Sequence, residues 1–316
     1  MRTPRKPVIV NHLGADFGRR IAQHPSAPVV IDDPFPTEPW RIAAEAEILL
    51  TGSFPAWRLT PQDWRFAATL KWVQTQSTGV ENFPPVLLKD RVMTCGRGVN
   101  AVPIAEFVFA AMLRIEKRLE DTRARAEADW TPHDIGRLYG RTLGLIGYGT
   151  IGQAIARRAR AFDMKVLVSR RSPWQGEDGI IACGSVADVF AAADHLVVAA
   201  PLTSETAGMI DEALFRVAKP GLHFINVSRG GLVDQDALIR ALEAGTIGQA
   251  TLDVTTPEPL PDGHPLYAMP NVVISPHISW AGGDQDEAIR ERFLANLDPY
   301  LAGLPLSSVV DPTSGY

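Results

Sequence analysis

The segment from residue 143 to residue 152 constrains the fold of this chain more than any other. It reads Leu-Gly-Leu-Ile-Gly-Tyr-Gly-Thr-Ile-Gly, an apolar run that enters a G-x-G-x-x-G turn, and apolar residues then recur at helical spacing. In a strand–turn–helix of this kind the glycines permit a tight turn, close approach to a pyrophosphate and close helix packing. The helix start offers N–H groups to the phosphates. The sequence therefore predicts a dinucleotide site rather than an ordinary turn, formed by Gly147, Tyr148, Gly149, Thr150, Ile151 and Gly152.

The end of the next predicted strand bears on which dinucleotide is bound. The strand Lys165–Val168 is followed by Ser169, Arg170 and Arg171, and the first carboxylate after it is Glu177. An acidic residue at this strand end usually binds the ribose hydroxyls of NAD, whereas an arginine accommodates the 2′-phosphate of NADP. We therefore expect NADP(H) to be preferred, with NAD(H) as the alternative cofactor. The alternative interpretation of these arginines is a solvent-exposed basic turn that binds no ligand.

Composition excludes several classes of protein. The chain has 316 residues, 46% of them hydrophobic, and a formal net charge of −5. This length suits two domains. A nucleic-acid-binding protein needs a basic face to displace counterions, so no nucleic acid partner is expected.

Cysteine usage and hydropathy bear on the compartment. Cys95 and Cys183 are the only cysteines, too few for a disulfide framework or a zinc site, and we expect no metal. The basic start of the chain is followed only by Val8–Val10 before polar residues, which is too short for a signal-peptide core. No apolar run approaches the length of a membrane span. We therefore expect a cytoplasmic protein without a membrane partner.

The alternation of short apolar runs with polar or amphipathic pieces predicts an α/β fold of two domains. After the glycine turn, strand-like and helix-like segments alternate as in a Rossmann-type doubly wound parallel sheet. Before it, a smaller flavodoxin-like α/β domain is predicted. Long helices are predicted over 101–126 and 284–303. The runs assigned to strands of the smaller domain are Val8–Val10, Val29–Ile31, Ile48–Leu50, Leu70–Val73 and Val92–Thr94.

Three predicted strand ends in the second half carry side chains suited to carbonyl reduction. They deliver Arg229, Glu258 and His277 to the edge where open parallel sheets bind ligands. Hydride addition to a carbonyl carbon leaves negative charge on the oxygen, so a nearby acid must supply a proton. Histidine suits that task because it titrates near neutral pH, a neighbouring carboxylate can orient it, and an arginine can bind a 2-oxo acid by its carboxylate. Each residue alone fits a loop or surface role, but together they favour catalysis.

The remaining histidines lack this context, and we expect them to be structural or exposed. Neither His195 nor His264 has a partner that the sequence can place. The full set is His12, His24, His133, His195, His223 and His264.

These motifs, in this order, resemble those of the D-isomer-specific 2-hydroxyacid dehydrogenases along nearly the whole chain. The resemblance rests on the glycine turn, on Pro201-Leu-Thr203, on Asn226-Val-Ser-Arg-Gly230, on Asp253-Val254 with Glu258-Pro259, and on Ser275-Pro-His277. It implies that Arg229, Glu258 and His277 form the catalytic set. It also implies a substrate-carboxylate loop at Ser77, Thr78 and Gly79, and cofactor contacts from Pro201, Thr203, Thr206, Val227, Ser228 and Asp253.

The resemblance further implies a discontinuous substrate domain, 1–100 plus 286–316, a cofactor domain, 101–285, and usually a homodimer. Because Arg170 replaces the aspartate of NAD-preferring relatives, the chain is most similar to reductases of glyoxylate and hydroxypyruvate. The expected partner is thus a small 2-oxo or 2-hydroxy acid. A corepressor-like scaffold that senses the cofactor and a phosphoglycerate-type dehydrogenase are the alternatives. Thr255-Thr256 and Trp280 depart from the family pattern and leave the substrate's side-chain pocket open.

Overall fold

The computed structural model describes residues 6–177, 179–282 and 285–311. The chain divides into two compact units, one formed by Met1–Val99 with Gly283–Tyr316 and the other by Asn100–Gly282. Each unit contains one sheet of parallel strands covered by helices. The predicted α/β fold class is confirmed.

The first unit has a five-stranded sheet in the order β2-β1-β3-β4-β5. This is the strand order of flavodoxin-like folds. All four residues of β3 are buried, as expected for a central parallel strand covered on both faces. The strands are β1 Val8–Asn11, β2 Val29–Asp32, β3 Ile48–Thr51, β4 Trp72–Thr75 and β5 Val92–Thr94, and the helices of this unit are α1 Ala15–Ile21, α2 Pro85–Leu88 and α8 Gln285–Leu301.

The second unit has a seven-stranded sheet in the order β12-β11-β10-β9-β6-β7-β8. The strand order reverses between β6 and β9, and open α/β sheets bind ligands outside the carboxyl ends of the strands at such a switch point. The strands are β6 Thr142–Ile146, β7 Lys165–Ser169, β8 Ile180–Ala182, β9 His195–Val198, β10 Leu222–Asn226, β11 Ile247–Leu252 and β12 Val272–Ile274. The helices are α3 Ala101–Lys117, α4 Thr150–Ala161, α5 Val186–Ala192, α6 Glu212–Arg216 and α7 Gln235–Glu243.

Two hydrophobic clusters hold the helices of the second unit against its sheet. One contains buried residues of α3 and α4, and the other buried residues of α5, α6 and α7. The β6 residues Leu143 and Leu145 belong to the first cluster and Ile146 to the second, so β6 contributes to both. This two-sided burial places the glycine turn after β6 in the middle of the unit.

The long helix predicted over 101–126 ends much earlier, and that prediction was wrong from Arg118 onward. Helix α3 stops at Lys117, where Arg118 adopts a left-handed conformation with φ 47° and donates its backbone N–H to the carbonyl of Arg114. The residues that follow are mostly charged and exposed, so they offer no apolar face to bury. Without that face a helix gains little from packing. A short 3₁₀ turn at Glu127–Asp129 is the regular structure that follows.

Strand β8 was not predicted from the sequence. It has only three residues and lies at the edge of the sheet, where it pairs with β7. A run so short carries no readable alternation of apolar and polar residues.

A buried polar network lies at the amino ends of β9 and β10. His195 Nε2 is 3.1 Å from Glu116 Oε1, His195 Nδ1 is 3.1 Å from His223 Nδ1, and His223 Nε2 is 2.9 Å from Thr251 Oγ1. All four side chains are at least nine-tenths buried. Both histidines are thus structural, as expected. The partner of His195, which the sequence could not place, is Glu116, 79 positions earlier in the chain.

The network has a single consistent direction when both histidines are neutral. His195 donates from Nε2 to the Glu116 carboxylate and accepts at Nδ1 from the Nδ1–H of His223, whose Nε2 then accepts from the Thr251 hydroxyl. Burial lowers the pKa of His223 to about 3, with the neighbouring His195 acting in the same direction. Burial also lowers the pKa of His195, although Glu116 opposes that shift. Arg141 lies 3.5 Å from Glu116 at the rim of the network.

The network predicts acid sensitivity of the folded state. A histidine whose folded pKa lies below its unfolded value of about 6.5 is protonated first in the unfolded chain, so lowering the pH favours unfolding. For His223 alone the loss is about 2 kcal/mol at pH 5 relative to pH 7.5. Urea titration of the His223→Asn variant is expected to show a difference in unfolding free energy between these pH values that is smaller by this amount.

The exposed His133 provides a matched His→Asn control, for which the parent's pH dependence is expected. An unchanged pH dependence in His223→Asn would show that the histidine pair does not contribute to acid unfolding.

Candidate active site

Gly147 occupies a position at the end of β6 that no other residue can fill without strain. Its φ is +99°, and a Cβ there would lie 2.7 Å from the backbone nitrogen of Ala200 and 2.8 Å from the carbonyl of Ala199. Its own N–H donates to the Ser169 carbonyl at 2.8 Å. The turn therefore lies tightly between the ends of β7 and β9.

The other two glycines of the turn differ in the space around them. A Cβ on Gly149 would point into open space, whereas a Cβ on Gly152 would lie 2.5 Å from the carbonyl oxygen of Gly147. Helix α4 starts at Thr150, and among the described residues no side chain caps its N-terminus. Open space in front of backbone N–H groups at a helix start suits a phosphate group.

Ser169 is the last residue of β7, one position beyond the predicted strand end, and Arg170 and Arg171 follow it. The two arginines differ in their surroundings. The guanidinium carbon of Arg170 lies 5.9 Å from the centre of the Trp174 ring. The guanidinium of Arg171 lies 3.9 Å from the carboxylate of Glu205, and both side chains are mostly exposed. Arg170 is thus oriented by an aromatic ring and Arg171 by an acid.

Hydrogen bonds within the loop order the residues that follow β9. The Thr206 hydroxyl donates to the Pro201 carbonyl at 2.7 Å and accepts the backbone N–H of Thr203 at 2.8 Å. Ser228, which with the buried Val227 follows β10, donates its hydroxyl to the Ala200 carbonyl at 2.5 Å. These residues therefore line the carboxyl ends of two neighbouring strands next to the glycine turn.

Arg229 lies two residues after Val227 at the same sheet edge. Its backbone carbonyl accepts from the buried Asn226 amide at 3.0 Å, and its Nη1 donates to the Ser228 carbonyl at 2.8 Å. The next residue, Gly230, lies so close to Thr255 that a Cβ would be 2.1 Å from its carbonyl group. The backbone that presents Arg229 is therefore held on both sides.

Glu258 and His277 come together in space although they are far apart in sequence. The Oε1 atom of Glu258 lies 2.6 Å from Nδ1 of His277. Both side chains are partly exposed, 42% and 37% respectively, so the pair remains accessible. The Trp280 indole N–H donates to the His277 carbonyl at 2.6 Å.

A buried carboxylate determines the backbone of the histidine loop. Asp253, 1% exposed, accepts hydrogen bonds from the Ser275 hydroxyl at 2.6 Å and from the N–H groups of Ile278 and Ser279, each at 2.9 Å. Its carbonyl also accepts the His277 N–H at 3.0 Å. His277 itself has φ +54°, a left-handed conformation that a non-glycine residue adopts only where its surroundings impose it.

This role of Asp253 was missed in the sequence, where the residue was assigned only to the cofactor. No local pattern links it to a loop more than twenty positions later. No local pattern indicated the contact of Trp174 with Arg170 either, or the hydrogen bond from the Tyr148 hydroxyl to Glu177 at 2.5 Å.

Ser77, Thr78 and Gly79 follow β4 at the carboxyl edge of the sheet in the first unit. The Ser77 hydroxyl is 2.9 Å from the Thr75 hydroxyl and donates to the Gly79 carbonyl at 2.8 Å. These bonds give the loop a defined shape.

The described residues contain no group of three or more histidine, cysteine, aspartate or glutamate side chains that could hold a metal ion. Among the described helices none is long and apolar enough to cross a membrane.

A comparison with protein families decides the assignment. The model of the NAD binding domain of D-isomer specific 2-hydroxyacid dehydrogenases matches residues 109–279. The chain belongs to this family. It is therefore an NAD(P)-dependent oxidoreductase.

Individual relatives agree with the family over most of the chain. Glycerate dehydrogenase of Methylorubrum extorquens is 37% identical over 259 residues, 76% of this chain and 79% of the relative. The human glyoxylate reductase/hydroxypyruvate reductase is 35% identical over 253 residues, 76% of this chain and 77% of the relative. A crystal structure of a family member from Xanthobacter autotrophicus Py2, in complex with NADPH and MES, is 26% identical with a TM-score of 0.79 and covers 99% of this chain and 100% of its own.

Proposed function

We propose that this dehydrogenase reduces small 2-oxo acids, such as glyoxylate or hydroxypyruvate, to D-2-hydroxy acids with NADPH, and that His277 is the proton donor. The observation that carries the proposal is the 2.6 Å pair of Glu258 and His277 in a loop at the carboxyl edge of the cofactor sheet. The names of the two relatives, a glycerate dehydrogenase and a glyoxylate/hydroxypyruvate reductase, support the same substrate class. We also propose that the second unit is the cofactor domain and the first the substrate domain.

The residues around the glycine turn fit a dinucleotide. The open space at Gly149 and the uncapped start of α4 would hold the pyrophosphate, while Pro201, Thr203, Thr206, Val227 and Ser228 would line the nicotinamide half of the site. When bound, the nicotinamide supplies the hydride of the reaction.

Glu258 determines which nitrogen of His277 can exchange a proton with the substrate. Because the carboxylate accepts at Nδ1, that nitrogen carries a hydrogen in both charge states of the ring. Nε2 is then the nitrogen that gains or loses a proton. A protonated Nε2 can donate to the substrate oxygen as negative charge develops on it.

Arg229 is proposed to bind the substrate's carboxylate and to polarise the neighbouring carbonyl group. A guanidinium can direct two parallel N–H groups at a carboxylate, which fixes the orientation of the acid as well as its position. The backbone N–H groups of the loop Ser77 to Gly79 would offer a second anion-binding position.

The preference for NADPH is assigned to Arg170, with Arg171 as a second contact. Arg170 has no carboxylate within ion-pair distance among the described residues, whereas Arg171 lies close to Glu205. An acid at this strand end would repel a 2′-phosphate, and none is present between Lys165 and Gly176.

The roles of His277 and Glu258 are tested by His277→Ala and Glu258→Gln. We expect kcat with glyoxylate and hydroxypyruvate to fall about 100- to 10,000-fold in His277→Ala, with the Kd of NADPH unchanged, since general acid catalysis contributes a factor of this size. Glu258→Gln should lower kcat less, because an amide oxygen can still accept the Nδ1 hydrogen.

Arg229→Ala should raise the KM for glyoxylate and hydroxypyruvate and lower kcat, because the group proposed to bind the substrate's carboxylate is lost.

The exposed His133→Ala variant is the control and should retain the parent kcat. Equal turnover in His277→Ala and the parent would remove His277 from the reaction.

The cofactor preference is tested by Arg170→Asp. Loss of charge-assisted hydrogen bonds to the 2′-phosphate, and repulsion by the new carboxylate, should raise the Kd of NADPH by at least about 10-fold. The Kd of NADH should change little. The measurement is titration calorimetry with both cofactors, and Arg65→Asp, an exposed position in the other unit, controls for the change in net charge. An unaltered ratio of the two Kd values would show that the phosphate binds elsewhere.

We further propose that the protein is a cytoplasmic homodimer. Both cysteines are free thiols, which favours a reducing compartment. Large apolar side chains are exposed in the segment after α3, and such exposure marks interaction surfaces in soluble proteins. They are Leu119, 72% exposed, Trp130, 82%, Ile135, 46%, and Tyr139, 63%.

The assembly is tested by Leu119→Ser combined with Trp130→Ser. Light scattering across a concentration series should show a dimer for the parent and a higher monomer fraction for the double variant, because it removes apolar area that would be buried between two copies. Leu59→Ser is the matched control, since Leu59 is also 72% exposed but lies in the first unit. A monomeric parent at all concentrations would contradict the proposal.

A further inference from the structure

An aromatic stack joins the glycine turn to the arginine that follows β7. The rings of Tyr148 and Trp174 are stacked with centroids 4.7 Å apart and an interplanar angle of 26°. The Arg170 guanidinium lies over the Trp174 ring, with its central carbon 5.9 Å from the ring centroid. The roles proposed above for binding and catalysis do not account for Trp174.

We propose that Trp174 is a positioning residue for cofactor selectivity, which holds the Arg170 guanidinium where it can bind the 2′-phosphate of NADPH. The inference rests on the proposed preference for NADPH and adds a residue to that site. All the side chains involved belong to the second unit.

The geometry of the contact leaves Arg170 free to bind an anion. An aromatic ring attracts a guanidinium through the negative face of its π system. The five N–H donors of arginine lie in the guanidinium plane and form a rigid fork. A contact that orients the side chain through a ring therefore uses none of the hydrogen bonds that a phosphate needs, whereas a carboxylate partner would compete for them.

The stack also restricts the conformations of Arg170 before the cofactor binds. The side chain is exposed, and an unrestrained arginine would lose rotamer freedom on binding a phosphate. Trp174 is itself half-buried and packs against the hydrophobic cluster that contains α3 and α4. The packed ring therefore restricts the conformations of the exposed Arg170 side chain.

Tyr148, the second ring of the stack, is fixed by a hydrogen bond to Glu177. Tyr148 is 8% exposed, and its hydroxyl donates to Glu177 Oε1 at 2.5 Å. Burial, together with the bond to Glu177, raises the pKa of Tyr148, so the phenol keeps its proton and remains a donor. The first carboxylate after β7 is thereby bound to a phenol of the glycine turn.

The backbone around Glu177 is fixed as well. Glu177 and Ile180 exchange two backbone hydrogen bonds of 3.2 and 2.8 Å. Gly176 has φ +88°, and a Cβ there would lie 2.6 Å from the Ile180 carbonyl oxygen. The segment from Ser172 to Glu177 therefore returns to the glycine turn in a defined conformation that brings Trp174 over Tyr148.

The experiment measures the Kd of NADPH and of NADH by titration calorimetry in Trp174→Leu and Trp174→Phe. From the size of cation–π interactions we expect Trp174→Leu to raise the Kd of NADPH about 3- to 10-fold and the Kd of NADH less than about 2-fold. Trp174→Phe, which keeps a ring, should lose less. Phe35→Leu, the loss of an aromatic ring at a 66% exposed position in the first unit, is the control and should leave both Kd values unchanged.

A double variant tests whether the tryptophan acts through the arginine. In an Arg170→Gln background the change Trp174→Leu should no longer alter the Kd of NADPH, because the group that it orients has gone. Tyr148→Phe, which keeps the stack but removes the bond to Glu177, should produce a smaller loss that is also specific to NADPH. This variant gives the same test if Trp174→Leu does not fold.

The outcomes separate this inference from the proposed function. Equal increases in both Kd values, or an effect of Trp174→Leu that persists in the Arg170→Gln background, would overturn the positioning role. A loss of NADPH preference in Arg170→Gln without any in Trp174→Leu and Tyr148→Phe would also overturn it while leaving the cofactor assignment intact. An Arg170→Gln variant with an unchanged cofactor ratio would refute the cofactor assignment itself.

Discussion

The close approach of the β6–α4 turn to the end of β9 is the constraint on which the second unit depends. Gly147 lies against the backbone of Ala199 and Ala200, and Gly152 lies against Gly147, at distances that a Cβ would violate. A side chain at either position would push the start of α4 away from the sheet. The Gly147 N–H also donates to the Ser169 carbonyl, and the Ser228 hydroxyl donates to the Ala200 carbonyl, so the ends of β7, β9 and β10 meet near the start of α4. Backbone packing therefore positions the residues that follow these strands, and the hydrogen bonds of the Thr206 and Ser228 hydroxyls add to it.

Two carboxylates divide the task of presenting His277. Asp253 is buried and binds the hydroxyl and backbone N–H groups of the histidine loop, so it determines the path of the chain, including the left-handed conformation at His277. Glu258 is partly exposed and contacts the imidazole itself. Glu258 thus contacts the group whose charge changes in the proton transfer that we propose for His277. An acid that satisfies buried N–H groups gains from burial, because water does not compete for those bonds.

The fold could be predicted from the sequence largely because its signals are local. The apolar run before Gly147, the spacing of the glycines and the alternation of strands with helices each lie within short segments. The end of α3 at Lys117 was missed because helical spacing continued past the point where an apolar face ended. The network of Glu116, His195 and His223 could not be read from the sequence, since its two hydrogen-bonded pairs are separated by 28 and 79 positions. Arg229, Glu258 and His277 were predicted to share one edge of the sheet from the rule that parallel strands present their carboxyl ends there, and the family resemblance implied the same set. The structure pairs Glu258 with His277.

The surroundings of Arg170 show why residue type alone does not define a phosphate site. Both Arg170 and Arg171 follow β7, and only the family resemblance singled out Arg170 from the sequence. Their contacts differ in kind: Arg171 lies near the Glu205 carboxylate, which competes for the same N–H groups as a phosphate, while Arg170 lies on an aromatic ring that leaves those groups free. The Tyr148 hydroxyl in turn binds Glu177, the first acid after β7. The charge that this strand end can offer to a ligand therefore depends on the contacts that each charged side chain already makes. For Arg170 and Glu177 these contacts exist because residues 172–177 fold back against the glycine turn.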